Sequence, residues 1–359
     1  MVSNWEEKFL DELCIKISAG GDKPNSFSKI KTDKLNIPVY ANGIELDGLQ
    51  GYTDKATITE NAITISARGT IGFICKRLEP YCPIVRLISV IPKDDIYLDF
   101  LYYALHLMIC NNSGSSIPQL TVPQLKKNKI KYPKNIDEQK RIAAKLDNAF
   151  QKIEALENNT KENIKNIEDL FKSYLNKVLN ANDNYYKTTP FEECLDKVPN
   201  TTKINSKKFL KYGKYPIISQ EKEFINGYWD NDADVFKVDT AVIIFGDHTK
   251  NIKYVDFDFI QGADGIKILK PKNFILPKYF FYYLNSLNLR NLGYARHYKL
   301  LKEHLIRYPE KIEEQKKIVD KLDIFNNKIQ TIKQNYQNKL TLLDNLKNSI
   351  LNKAFKGEL

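Results

Sequence analysis

Asp247, His248 and Asp264 come nearest in this sequence to a reactive constellation. Together they could hold a metal ion, or Asp247 and His248 could activate a nucleophile. Metal binding wants a further histidine or cysteine at ligand spacing, and none is present. No serine on a nucleophile elbow accompanies the pair. His248 therefore reads more simply as a polar loop residue or a contact to a base. The phosphate-binding pattern Gly-x-x-x-x-Gly-Lys-Ser/Thr is absent, and the glycines form no Gly-x-Gly-x-x-Gly. No Pro-Pro pair occurs, which excludes the Asn/Asp-Pro-Pro-Tyr/Phe stretch of amino-methyltransferases. No catalytic residue, cofactor or metal is expected on this chain.

The elements around these residues are written twice. Ile130-Lys131-Tyr132-Pro133 leads into Ile136-Asp137-Glu138-Gln139-Lys140-Arg141-Ile142. Ile306-Arg307-Tyr308-Pro309 leads into Ile312-Glu313-Glu314-Gln315-Lys316-Lys317-Ile318, a shift of 176 positions that holds without a gap to the end. Each copy continues as a long helix. Acidic residues fill its first turn, where they complement the positive end of the helix dipole. No Pro or Gly follows until Pro190 and Gly357. Apolar residues recur at steps of three and four: Ile142, Leu146, Ala149, Ile153, Leu156, Ile164, Ile167, Leu170 and Tyr174 in the first. The second gives Ile318, Leu322, Phe325, Ile329, Ile332, Tyr336, Leu340, Leu343, Leu346 and Ile350. Such a narrow stripe is a coiled-coil seam. About 44 residues span roughly 65 Å, more than a compact domain of this size is wide. Antiparallel pairing of the two helices brings the chain back on itself.

The expected fold class is α+β. Two mixed globular domains, 1–135 and 183–311, alternate with long helices 136–182 and 312–359 in a pseudo-two-fold duplication. Strands are expected at Ile37–Tyr40, Ala62–Ser66, Ile71–Cys75 and Val85–Ile91, then a helix Leu98–Cys110 and a loop 111–119. The second domain repeats this order. Ile37–Tyr40 matches Tyr215–Ile218, and Ala62–Ser66 matches Ala241–Phe245. Tyr102-Tyr103 and Phe280-Phe281-Tyr282-Tyr283 occupy matching helices, so core packing explains them more simply than base stacking. The loops do not match: Ala67-Arg68-Gly69-Thr70 stands where the second half has Gly246-Asp247-His248-Thr249-Lys250. Loops on a rigid scaffold commonly carry function, so a shared scaffold with different loops implies two related but distinct specificities.

Net charge is +11, and +8 of it falls on the two globular regions, which suits a polyanionic partner. Five scattered cysteines (Cys14, Cys75, Cys82, Cys110, Cys194) without a Cys-x-x-Cys pair suit a reducing cytoplasm. Met1–Leu10 is polar and acidic, so no leader is expected, and no apolar run approaches the ~20 residues of a membrane span.

With these elements assembled, the chain resembles the specificity (S) subunit of type I restriction–modification systems. The signatures are the two Glu-Gln helix starts above and the ending Asn352-Lys353-Ala354-Phe355-Lys356-Gly357-Glu358-Leu359. In the second domain, Gly246–Thr249, Gly262-Ala263-Asp264-Gly265 and Gly293–Leu301 look like one recurring type of recognition domain. The resemblance covers essentially the whole chain. It implies a non-catalytic subunit reading a bipartite site on double-stranded DNA, one half per domain. The helical rod would fix the spacer, with an upper limit near ~19 base pairs at 3.4 Å each. It also implies docking of two methyltransferase (M) subunits and, through them, restriction (R) subunits. S-adenosylmethionine, ATP and Mg belong on those partners. Two other readings fit the residues: a specificity subunit for a type IIB-like fused methyltransferase–nuclease, and a coiled-coil scaffold with two domains that bind something other than DNA.

For DNA contact the divergent loops are the candidates. In the first domain these are Arg68 and Thr70, Gln119 as a partner for adenine, and Lys126 and Lys127, with Lys129, for phosphates. In the second they are Lys222, His248, Lys250, Arg296, His297, Lys299 and Tyr298, the last able to stack or pack.

Overall fold

The computed structural model describes residues 5–112, 119–180, 186–263, 265–293 and 295–359. The chain divides into two compact units, Met1–Thr160 with Asn338–Leu359, and Lys161–Gln337.

Unit 1 carries β1 (Trp5–Phe9), β2 (Cys14–Ala19), β3 (Ile37–Tyr40), β4 (Leu49–Thr53), β5 (Ala62–Ile65), β6 (Ile74–Arg77), β7 (Cys82–Pro83), β8 (Ile88–Pro92) and β9 (Lys129–Pro133). Its main sheet runs β2-β8-β5-β6, all antiparallel, and a smaller sheet runs β4-β3-β7 with β3 and β7 parallel. β1 and β9 form a separate antiparallel ribbon. The helix Leu98–Asn112 packs Phe100, Leu101, Ala104 and Leu105 into the core beside Ile63, Ile65 and Val90. The end of the second long helix completes that core with Leu351, Ala354 and Phe355.

Unit 2 carries β10 (Tyr186–Pro190), β11 (Leu195–Asp196), β12 (Lys203–Ile204), β13 (Tyr215–Ile218), β14 (Gly227–Trp229), β15 (Val235–Phe236), β16 (Val242–Gly246), β17 (Ile252–Val255), β18 (Phe259–Gly262), β19 (Ile266–Pro271) and β20 (Leu305–Pro309). The plan is that of unit 1. A main sheet β11-β19-β16-β17 stands beside a second sheet β12-β18-β13-β14, with β15 also on β18, and a ribbon β10-β20. The helix Pro277–Ser286 buries Tyr279, Phe280, Tyr282, Tyr283 and Leu284. Tyr103, Phe280, Tyr282 and Tyr283 are therefore core, and Tyr102 and Phe281 pack half-buried against it.

Two strands start later than their composition suggests. Residues 71–73 belong to a turn, with Gly69 and Gly72 at φ +67° and +86°, so β6 opens at Ile74. Val85 and Arg86 adopt φ +52° and +61°, conformations no strand tolerates, and β8 opens at Ile88.

The long helices are Ile136–Leu179 and Ile312–Phe355, 44 residues each. Their repeated Gln explains the motif. Gln139 is fully buried; its Nε2 donates to the carbonyls of Asp95 (3.0 Å) and Pro133 (2.9 Å), and its Oε1 accepts from the Tyr97 amide (2.7 Å). Gln315 does the same with Phe274 (2.8 Å), Pro309 (2.9 Å) and the Leu276 amide (2.8 Å). Each glutamine thus satisfies three backbone groups where helix, ribbon and domain helix meet. A second duplicated bond joins the Tyr103 hydroxyl to Asp147 (2.6 Å) and the Tyr282 hydroxyl to Asp323 (2.5 Å).

Within each unit the two helices run antiparallel. In unit 1, Glu157 pairs with Lys347 at 2.8 Å. In unit 2, Glu168 pairs with Lys333 at 2.6 Å, and Tyr174 packs on Phe325 with centroids 4.1 Å apart. Leu146, Ile153 and Thr160, spaced by seven, are buried in unit 1, as are Leu322 and Ile329 in unit 2. Leu156, Leu170, Ile332 and Leu346 are not part of the seam: they are 45%, 54%, 41% and 45% exposed. A pair of helices covers only a narrow stripe, and Thr160 takes the place expected of Leu156, its hydroxyl turned back to the Leu156 carbonyl (2.6 Å).

Candidate nucleic-acid interface

In unit 1 the main sheet ends in a row. Ala19 pairs with Ile88, Ile88 with Ile65, and Ile65 with Ile74, so the loops leaving those four strand ends emerge together. Asn42, just beyond β3, ties them. Its Oδ1 accepts from the Ala67 amide (2.8 Å) and its Nδ2 donates to the Val85 carbonyl (2.7 Å). The Leu120 amide donates to the Ala67 carbonyl (3.0 Å), which brings Gln119 to the same end. There the Arg68 guanidinium donates to Gln119 Oε1 at 2.9 Å, and the Thr70 hydroxyl lies buried with no hydrogen-bond partner. Arg68, Thr70 and Gln119 thus form one cluster. Lys126 and Lys127 close the following helix Val122–Lys126: Lys126 is held by Asp11 (2.8 Å) and Lys127 is exposed. Lys129 pairs with Glu7 at 3.3 Å. The loop residues Ser113–Pro118 lie outside the described residues.

Unit 2 builds the equivalent end differently. Gly246 pairs with Ile266 and Phe245 with Ile252, and the loop 247–251 emerges beside Gly265. Gln220 stands two residues past β13, as Asn42 stands two past β3. Its Oε1 accepts from the His248 amide (3.2 Å), and its carbonyl accepts from the Thr249 hydroxyl (2.6 Å) and the Asn251 side chain (2.8 Å). Gly265, at φ +74°, has no room for a side chain: a Cβ would meet Gln220 Oε1 at 2.6 Å and His248 Cδ2 at 2.8 Å. The His248 ring is therefore packed against Gly265 at this loop end. Lys250 takes φ +61° and reaches the Leu289 carbonyl at 3.4 Å, while Lys222, Arg296 and Lys299 are exposed.

One expected contact, His297, is structural instead, and Tyr298 takes the packing role left open for it. His297 is fully buried. Its Nδ1 lies 3.0 Å from the Asp247 carbonyl, which only accepts, so Nδ1 carries the proton. Its Nε2 accepts from the Leu292 amide at 3.1 Å. Both ring nitrogens are used, and none is left for a base edge. Tyr298 packs on Phe191 and Phe245 with centroids 5.9 and 6.3 Å away, and burial raises its hydroxyl's pKa. Asp247, 3% exposed, belongs to the same internal frame, its carboxylate accepting from the Tyr298 amide at 2.8 Å. Asp264 lies outside the described residues, and among those described no three His, Cys, Asp or Glu gather as metal ligands.

Asn42, Gln220 and Arg86 were not legible as site residues. The amides act through bonds to distant loops, although their matched positions two residues past matched strands were available as a signal. Arg86 is exposed beside Val85 at the loop end of unit 1, and only the backbone turn puts it there.

The sequence matches the type I restriction modification DNA specificity domain over residues 2–166 and 193–342, most of its length. The chain belongs to that family. Among its curated relatives, a putative type I specificity subunit of Mycoplasma pneumoniae is 37% identical over 150 residues, 41% of this chain and 44% of that protein. A second from the same organism is 38% identical over 138 residues, 38% of each chain. The specificity subunit of the Escherichia coli EcoR124I/EcoR124II type I restriction enzyme is 32% identical over 120 residues, 32% of this chain and 29% of that protein. The chain thus spans less than half the length of these specificity-subunit relatives. A chain from a solved structure on complex assembly and conformational transition of the type I R-M system shares the fold, with a TM-score of 0.70 at 16% identity, covering 99% of this chain and 98% of that one. Among the described residues no helix is long and apolar enough to cross a membrane.

Proposed function

We propose that this chain is the non-catalytic DNA sequence-specificity subunit of a type I restriction–modification enzyme, reading a split double-stranded site with one half per unit. The observation that carries this reading is the pair of loop ends. Each is latched by an amide at the matched position, Asn42 or Gln220, yet each presents a different polar set. One scaffold with two sets of readers is what two different half-sites require. Arg68 with Gln119 can read guanine and adenine edges, and Arg86 and Lys127 supply charge to phosphates. In unit 2, His248, Lys222, Lys250, Arg296 and Lys299 take these roles.

The long helices offer a surface for the M subunits. In unit 1, exposed Leu156 and Leu346 directly precede the paired Glu157 and Lys347 in the chain; in unit 2, exposed Leu170 and Ile332 lie within two residues of the paired Glu168 and Lys333. Exposed apolar residues on an otherwise charged helix surface suit a protein partner. R subunits would join through M, and S-adenosylmethionine, ATP and Mg would sit on those partners.

The test is the variant Arg296→Ala, co-expressed with the neighbouring M subunit. The M–S complex should purify intact, with modification at the native site abolished. Loss of assembly would instead give Arg296 a structural role, and unchanged modification would remove it from the reading surface.

A further inference from the structure

Lys253 lies on β17, opposite Ile244, and is 6% exposed. An ammonium is not left there without compensation. Its three N–H groups are shared among four oxygens: the carbonyls of Ser219 (2.9 Å) and Glu223, with the Phe224 carbonyl (3.4 Å) and Asn226 Oδ1 (3.3 Å) further off. All four oxygens come from the connection between β13 and β14, which folds around the ammonium as it would around a bound cation. The ends of that connection are closed separately by Asn226, whose Oδ1 accepts from the Ser219 amide (2.9 Å) and whose own amide donates to Ile217 (2.9 Å). Burial lowers the Lys253 pKa to about 8, opposed by Glu223 and Glu221, so at neutral pH the cation is charged.

The braced segment is the one that carries Gln220 and Lys222. Gln220 in turn holds the His248 amide and, through its carbonyl, Thr249 and Asn251. A continuous set of hydrogen bonds therefore runs from Lys253 through 219–226 to 247–251.

Unit 1 contains the counterpart. The strand ends superpose Ile65–Ile74 on Phe245–Ile252, one residue off the sequence match; in that register Arg77, also 6% exposed, lies on β6, the equivalent of β17, two positions beyond the place of Lys253 and so on the same strand face. It donates to the Thr64 hydroxyl (3.0 Å) and to the Asp47 carbonyl (2.5 Å), and lies 3.6 Å over the Tyr40 ring. Leu46 and Asp47, left-handed at φ +47° and +55°, belong to the connection between β3 and β4. In both units a buried cation on the outer strand thus reaches into the same connection.

We propose that Lys253 is a positioning residue for DNA recognition by unit 2, bracing residues 219–226 so that Gln220 and Lys222 are presented in register with His248. This rests on the DNA-reading function proposed above.

The test uses the full chain with its M subunit, in the variants Lys253→Met and Lys253→Arg. Hydrogen exchange without DNA measures the brace itself. Amides of 219–226 and 247–251 should exchange at least about tenfold faster in Lys253→Met, with those of the long helices unchanged. Binding to duplexes altered in one half-site at a time measures recognition. Lys253→Met should lose about tenfold or more of its discrimination at one half-site and keep it at the other, with non-specific affinity unchanged, and Lys253→Arg should recover part of the loss. Unchanged exchange in a folded Lys253→Met would overturn the brace. Faster exchange with wild-type discrimination at both half-sites would overturn the link to recognition. Should Lys253→Met not fold, the same two readouts on Lys253→Gln, which removes the charge and keeps a donor, decide: wild-type exchange and discrimination would overturn the proposal, and a single-half-site defect with faster exchange would support it. A wild-type complex without any sequence discrimination would instead refute the DNA-reading function, and exchange would still decide the brace.

Discussion

The guanidinium of Arg68 meets the side-chain carbonyl of Gln119 at 2.9 Å, joining two loops that the sequence separates by fifty residues. A glutamine held this way has its amide plane fixed by its neighbour, with Nε2 free to donate to adenine N7 and the second Oε1 lone pair to accept from N6. Arg68→Ala and Gln119→Ala should each cost about 1–3 kcal/mol of discrimination at one half-site. The double variant should cost less than the two combined, because each residue positions the other. Fluorescence anisotropy with cognate and altered duplexes checks this; fully additive losses would mean the pair acts as two separate contacts.

Gln139 and Gln315 each satisfy three buried backbone groups, and alanine leaves those groups unpaired. Each substitution should destabilise its own unit by at least about 2 kcal/mol. Denaturant unfolding followed by hydrogen exchange would place the loss in unit 1 for Gln139→Ala and in unit 2 for Gln315→Ala. A wild-type midpoint for both would show the duplicated amide to be dispensable.

The seam and the open face of the helices should separate cleanly. Ile153→Asp places a charge in a buried contact and should cost on the order of 3 kcal/mol. Leu156→Asp, at a 45% exposed position, should stay within about 0.5 kcal/mol of wild type. Combined with Leu346→Asp it should still reduce co-purification of the M subunit. Equal thermal melts for Ile153→Asp and the wild type would contradict the observed seam.

Much of this molecule could be read from its repeats. The Glu-Gln helix starts, the 44-residue helices and the matched strand order are local or periodic, and duplication exposed them. The seam was read one stripe too wide, because hydropathy marks Leu156 and Leu170 as apolar without saying that a two-helix contact is too narrow to reach them. His297 was misread because an Arg-His-Tyr-Lys run looks uniformly basic, whereas the fold turns the histidine inward onto Asp247. Asn42, Gln220 and Lys253 did not stand out, since each acts on loops that only tertiary folding brings near; the matched positions of the two amides were the one signal in the sequence.

The buried thiols of Cys14 and Cys194 and the half-buried thiol of Cys75 make a chemical prediction. Burial raises Cys14 and Cys194 to about 12 and Cys75 to about 11, against about 8.5 in an unfolded chain. A raised folded-state value means that their contribution to stability is complete below about pH 8.5 and fades as pH climbs toward 11–12. At pH 8, iodoacetamide should leave these three cysteines unlabelled in the native chain and label them in denaturant. Peptide mass spectrometry reads the result, and rapid native labelling of Cys14 or Cys194 would contradict their burial.

The most direct test is methylation mapping in cells that express this chain with its neighbouring M subunit, using single-molecule sequencing. The expected result is one split motif with modified adenine in both halves, changed in a single half by substitutions at Arg68 or at Arg296. A stable M–S complex that modifies no split motif would contradict the central claim.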